Sequence, residues 1–103
     1  MIELPDLPSY SGKTTFIRGH ELDGDKETSY RLMFYAKDTP DEVRNFYNNV
    51  FSMYNWKMID HSGPTITAAA KNGGRATISI TKADRAHKDQ GSTVTIIYRH
   101  PNS

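Results

Sequence analysis

The residues best suited to chemistry in this chain are its four histidines, His20, His61, His87 and His100, and an acidic run at Asp23-Gly24-Asp25-Lys26-Glu27. Histidine changes charge near neutral pH and ligates metals through a neutral imidazole nitrogen. No two of the four stand at the three- to five-residue spacings that put a metal-ligating pair on one face of a helix or in a zinc ribbon. Each falls in an expected loop or at a strand end, where a solvated imidazole is ordinary. His61 or His87 beside a nearby aspartate is the arrangement left for general acid–base work in a cleft. The acidic run begins like a calcium loop, which needs Gly at its sixth position and Glu at its twelfth. Those positions hold Thr28 and Phe34, so the run reads as a solvated acidic turn. Gly12-Lys13-Thr14 resembles the end of a phosphate-binding loop, but Leu7 stands where the first glycine belongs and a strand, not a helix, is expected to follow. Ser11 and Ser62 precede glycines without the flanking pattern of a nucleophile elbow. Cysteine is absent, which removes thiolate metal sites, thiol nucleophiles and disulfides. No catalytic, cofactor-binding or metal-ligating residue is assigned, and no cofactor is expected.

Surfaces offer three further leads. Thr65, Thr67, Thr77, Ser79, Thr81, Thr93 and Thr95 fall on one face of the expected strands. Threonine suits a wet sheet face through β propensity alone. Lys82, Arg85, His87 and Lys88 form a basic loop near Lys71 and Arg75, diluted by Asp84 and Asp89. With 13 Lys and Arg against 12 Asp and Glu, the net charge is +1, and that balance calls for neither a nucleic-acid partner nor an anionic membrane; membrane insertion is not expected. Met33, Tyr35, Ile59 and Ile97 are apolar positions on otherwise polar strand faces. Either they form an exposed contact surface for a protein or for another domain of the same polypeptide, or an N-terminal arm covers them through Leu4, Leu7 and Tyr10.

These side chains must be held by elements that the pattern already marks. Residues 1–13 read as an extended arm, because Pro5 and Pro8 bias their predecessors away from helix. Thr14–Arg18 is a β-branched and aromatic first strand, followed by a polar loop over residues 19–28. Ser29–Lys37 alternates Tyr30, Leu32, Phe34 and Ala36 inward. Thr39-Pro40-Asp41-Glu42 is a capping box with proline at the first helical position. Val43, Phe46, Tyr47, Val50, Phe51 and Tyr54 then recur at helical spacing, which predicts an amphipathic helix over residues 40–54 with Asn55 as a left-handed stop. Phe46, Val50 and Tyr54 are the expected buried contacts. Strands follow over 56–61, 65–71, 75–82 and 92–99, with a hairpin at Asn72-Gly73, a charged loop over 83–91 and a mobile tail over 100–103.

The 103 residues amount to one domain, 36% apolar and 24% charged. Strands grouped around a lone helix define an α+β fold: two layers, an antiparallel sheet of about five to six strands and one helix packed on one face. No apolar run reaches the ~18–20 residues of a membrane span, and the first residues lack the charge and apolar pattern of a secretory signal. The order Thr39-Pro40-Asp41-Glu42-Val43, Phe46-Tyr47 and Trp56 resembles a group of small bacterial domains of unknown function, with Asn55 in place of their usual glycine before Trp. The resemblance implies a two-layer α+β fold and an exported or lipid-anchored setting at the cell envelope, and it carries over no site residues. The residues point first to a non-catalytic binding or interaction domain. The alternative is a small enzyme or small-ligand binder with a His/Asp cleft.

Overall fold

A computed structural model of the chain describes residues 10–12, 14–60, 63–70, 73–82 and 91–101. The elements run β1 (Thr14–Asp23), β2 (Glu27–Ala36), α1 (Pro40–Met53), β3 (Lys57–Asp60), β4 (Thr65–Ala69), β5 (Arg75–Lys82) and β6 (Ser92–Pro101). The six strands form one sheet in the order β1-β2-β6-β5-β4-β3, and every neighbouring pair is antiparallel. α1 thus carries the chain from β2 to the far edge, and a meander brings it back until β6 lies against β2.

α1 starts where the local signals put it. The Glu42 amide donates to Thr39 Oγ1 at 3.3 Å, and the Thr39 amide donates to Glu42 Oε1 at 3.3 Å. Two amides with no partner inside the helix are satisfied this way. The other end is a Schellman turn. Asn55 takes φ +61°, and the Trp56 amide donates to the Phe51 carbonyl at 2.8 Å. The hydrophobic contact that accompanies such a turn is Trp56 on Phe51, with ring centroids 5.1 Å apart.

The inner layer is built by alternation. Leu32, Phe34 and Ala36 of β2, Ile66 and Ala68 of β4, Ala76, Ile78 and Ile80 of β5, and Val94, Ile96 and Tyr98 of β6 are all buried. Val43, Tyr47, Val50 and Phe51 of α1 close the core from above. The buried helix face differs from the expected one in two places. Phe46 is only partly buried, and Tyr54 is exposed. Tyr54 is the residue on which the helix ends, and the turn that follows places Trp56, not Tyr54, over Phe51.

Residues 19–28 are not a loop. β1 continues to Asp23 and β2 begins at Glu27, with the Gly24 amide donating to the Glu27 carbonyl at 2.8 Å across the turn. Pairing with β2 holds this polar stretch extended, and backbone hydrogen bonding outweighs its turn-prone composition. For the same reason His100 and Pro101 are not a loose tail; they stand opposite Thr28 and Glu27. The hairpin between β4 and β5 has Gly73 at φ +92°. Residues 1–9, the 83–90 loop and the positions of His61, His87 and Asn72 lie outside the described residues.

Aromatic rings run the length of the helix–sheet interface. Tyr10 touches Phe34, Phe46 and Tyr47; Tyr47 touches Phe51; Phe51 touches Trp56; Trp56 touches Tyr98, which meets Tyr30 and His100.

Candidate functional site

One point at which this core is incompletely satisfied lies midway along α1. Tyr47 is fully buried, and its hydroxyl has no hydrogen-bond partner among the described residues; the side-chain carbonyl of the neighbouring Asn48 is likewise buried and unpartnered. A buried hydroxyl without a partner costs ~1–3 kcal/mol, so its survival calls for a compensating role or a bound group. Burial, then the proximity of Tyr10, pushes the Tyr47 phenol well above the usual tyrosine range. It is therefore a neutral hydrogen-bond donor and acceptor at any physiological pH.

Tyr10 packs beside the Tyr47 ring. Its ring lies 4.8 Å from that of Phe46, edge to face, and 6.2 Å from that of Tyr47, stacked. Its hydroxyl donates to Asp38 Oδ2 in a short hydrogen bond. Burial, that hydrogen bond and the nearby carboxylates of Asp38 and Glu42 raise its phenol as well. Asp38 is positioned in turn by β6, since Ser92 Oγ donates to its main-chain carbonyl at 2.8 Å. Gly12 packs close beside it: a β-carbon there would meet the Asp38 carboxylate and the Tyr10 ring, and those side chains would have to shift. A ring on the N-terminal segment, anchored by one carboxylate, thus stacks against the ring that carries the buried hydroxyl.

The rim beyond Tyr10 is apolar and open. Phe16 of β1 lies opposite Phe34 on the inner side of the sheet and is 44% exposed. α1 lies closest to β5 and β3, so β1 falls outside its cover, and no residue of β1 is buried.

The positions singled out from sequence separate in space. His20 is exposed on β1, and His100 is partly buried against Tyr98. Asp23 and Asp25 are exposed at the β1–β2 turn. Among the described residues no three His, Asp or Glu side chains converge as metal ligands would. Of the contact residues Met33, Tyr35, Ile59 and Ile97, Met33 has Ile97 as a diagonal neighbour on β6 and Tyr35 as the next outer-face residue of β2. Met33 and Ile97 are partly buried. Ile59 is 50% exposed on β3, at the far edge of the sheet. Tyr35 is corrected: it is buried, because the backbone at Gly91 crosses so close that a β-carbon there would run into its hydroxyl and the Ala36 carbonyl. Tyr10 does not cover the outer-face group either, since it packs on the opposite face of the sheet. Leu4 and Leu7 lie outside the described residues.

Among the described residues, one helix crosses one face of a six-stranded antiparallel sheet, which is a two-layer α+β frame. Residues 14–97 match the START domain-like family, and the chain belongs to that family. No curated protein and no solved structure matches it significantly. The family match begins with β1 and ends inside β6, so Tyr10 stands outside it while Tyr47 and Phe34 stand within.

Proposed function

We propose that the chain is a non-catalytic binding domain that takes a small, mainly apolar molecule carrying one hydrogen-bonding group, held between α1 and the β1–β2 side of the sheet. The observation that carries this reading is the buried Tyr47 hydroxyl, unpartnered among the described residues, on a ring that stacks with Tyr10. Ligand sites are mostly apolar with a few placed polar groups. Here Phe16, Phe34 and Phe46 supply the apolar wall, Tyr47 supplies the polar contact, and Tyr10 closes the mouth. Membership of the START domain-like family is compatible with ligand binding. The competing enzyme reading would need a general acid or base free to reach a ligand; the Asp38 carboxylate in the site is engaged by the Tyr10 hydroxyl, and burial favours the neutral form of the two phenols.

Titration with a fluorescent medium-chain fatty acid tests the proposal. Wild-type protein should bind it saturably. Tyr47→Phe, which removes only the hydroxyl, should weaken binding about tenfold, the value of one good hydrogen bond. Tyr10→Ala should speed release. The absence of saturable binding, or equal binding by wild type and Tyr47→Phe, would overturn it.

A further inference from the structure

The sheet face turned away from α1 carries a charge pattern that the core does not explain. The ladder places Arg18 opposite Met33, Arg31 opposite Ile97, and Arg99 opposite Arg75. Residues directly opposite each other share a face, so these six side chains sit on four consecutive strands, β1, β2, β6 and β5, on the outer side. All four arginines are exposed. Arg18 reaches this side because of the bulge between Phe16 and Arg18; without it, alternation would turn Arg18 toward the helix layer. Arg75 and Arg99 stand directly across from each other, a like-charge pairing that costs stability unless an anion lies between them. No ion pair joins any of the four to another described residue. The acidic residues of this face are at its margins, Glu27 at the start of β2 and Asp60 at the end of β3.

We propose that this outer face is a docking surface for an anionic lipid bilayer, with Arg18, Arg31, Arg75 and Arg99 engaging headgroup phosphates and Leu22 entering the headgroup layer. Charge complementarity calls for a polyanion, and two features choose the bilayer. Leu22 lies opposite Ser29, which lies opposite Arg99, so it belongs to the arginine row, and it is 71% exposed. Cations beside projecting aliphatic groups are what an interfacial contact uses. Single-stranded nucleic acid, the other extended polyanion, is held by stacking bases on aromatic rings. The outer-face tyrosine of β2, Tyr35, is buried, and the neighbouring strand positions are threonine and serine. Met33 and Ile97, interleaved with the arginines, give this surface its apolar component. This proposal concerns the opposite face from the ligand site and does not depend on it.

Vesicle flotation tests it on the intact chain. Vesicles of equal parts phosphatidylcholine and phosphatidylserine should carry the protein at low salt, and pure phosphatidylcholine should not. Each basic side chain near an anionic surface strengthens binding about fivefold, so the double variant Arg31→Gln/Arg99→Gln should bind roughly 25-fold more weakly. Its melting temperature should be unchanged or higher, since a repulsive pair has been removed. Leu22→Asp, at an exposed position, should weaken vesicle binding with no effect on the melt. Failure to float with phosphatidylserine, flotation indifferent to both variants, or tighter binding to single-stranded oligothymidine than to vesicles would each overturn the proposal.

Discussion

β6 and β1 are both ten-residue strands, and they flank β2 on its two sides. Ser92, Val94, Ile96 and Tyr98 of β6 are buried, whereas β1 buries nothing. The difference follows from which side chains each strand presents to the helix layer. β6 turns valine, isoleucine and tyrosine inward at every second position. β1, after its bulge, turns Gly19, Glu21 and Asp23 that way, opposite Leu32, Tyr30 and Thr28. A core cannot be built on those residues, and α1 does not extend over them. β1 is therefore a strand by virtue of its hydrogen-bonded ladder with β2, while β6 is one by virtue of packing. Strand formation and core membership are separate properties, and in this molecule the candidate ligand mouth and the arginine surface both use the strand that has the first without the second.

The contrast can be broken at several points. Its strongest test is Tyr98→Ala, which removes a fully buried ring in contact with Trp56, Tyr30 and His100. The expected loss is ~3–5 kcal/mol in denaturant unfolding; a loss under ~1 kcal/mol would mean that β6 is no better packed than β1. Gly91→Ala comes next. Its β-carbon would collide with Tyr35 and the Ala36 carbonyl, and such overpacking costs ~1–3 kcal/mol, read as a lower melting temperature. Thr39→Ala should cost ~1 kcal/mol through the lost cap, and a melt that did not move would show that the box contributes nothing to α1. Phe16→Ala on β1 should cost the least, below ~1 kcal/mol, because the ring is half in water already. If Phe16→Ala equalled Tyr98→Ala, the comparison would collapse.

Alkaline titration sharpens the same division without mutation. Tyr10 and Tyr47 have phenols raised by burial in the covered half, so the native state holds their protons to higher pH than the unfolded chain does. Stability contributed by them is complete below the ordinary tyrosine value of ~10 and falls as pH climbs beyond it. Phenolate absorbance should show Tyr10 and Tyr47 ionising late, together with loss of structure. Tyr47→Phe should flatten the fall.

α1 was legible because its signals are local: a box spanning Thr39 to Glu42, an apolar stripe, and a residue at Asn55 able to take positive φ. β2, β4, β5 and β6 were legible through alternation. The second half of β1 was not, since Gly19 to Asp23 has the composition of a loop and is kept extended by a partner strand. The candidate ligand site was half visible. Tyr47 belongs to the expected helix stripe, but nothing in its spacing shows a hydroxyl without a partner. Tyr10 is brought to Asp38 across 28 residues of sequence, a contact no local pattern reports. The arginine surface depends on register and on one bulge, and neither can be read from a single chain.

The seam between β2 and β6 has a consequence for how quickly the molecule assembles. β1 and β2 form a hairpin from adjacent residues, and β3 to β6 form a meander from adjacent residues. The ladder that joins the two, Glu27 opposite Pro101 through Ala36 opposite Ser92, pairs positions more than half the chain apart. Non-local pairing of this kind incurs its loop-closure entropy before any contact offsets it, and it places mixed α/β and all-β chains toward the slower end of single-domain folding. Until that seam closes, β2 and β6 each lack a neighbour on one side, so joining the two pieces is the step expected to be slowest.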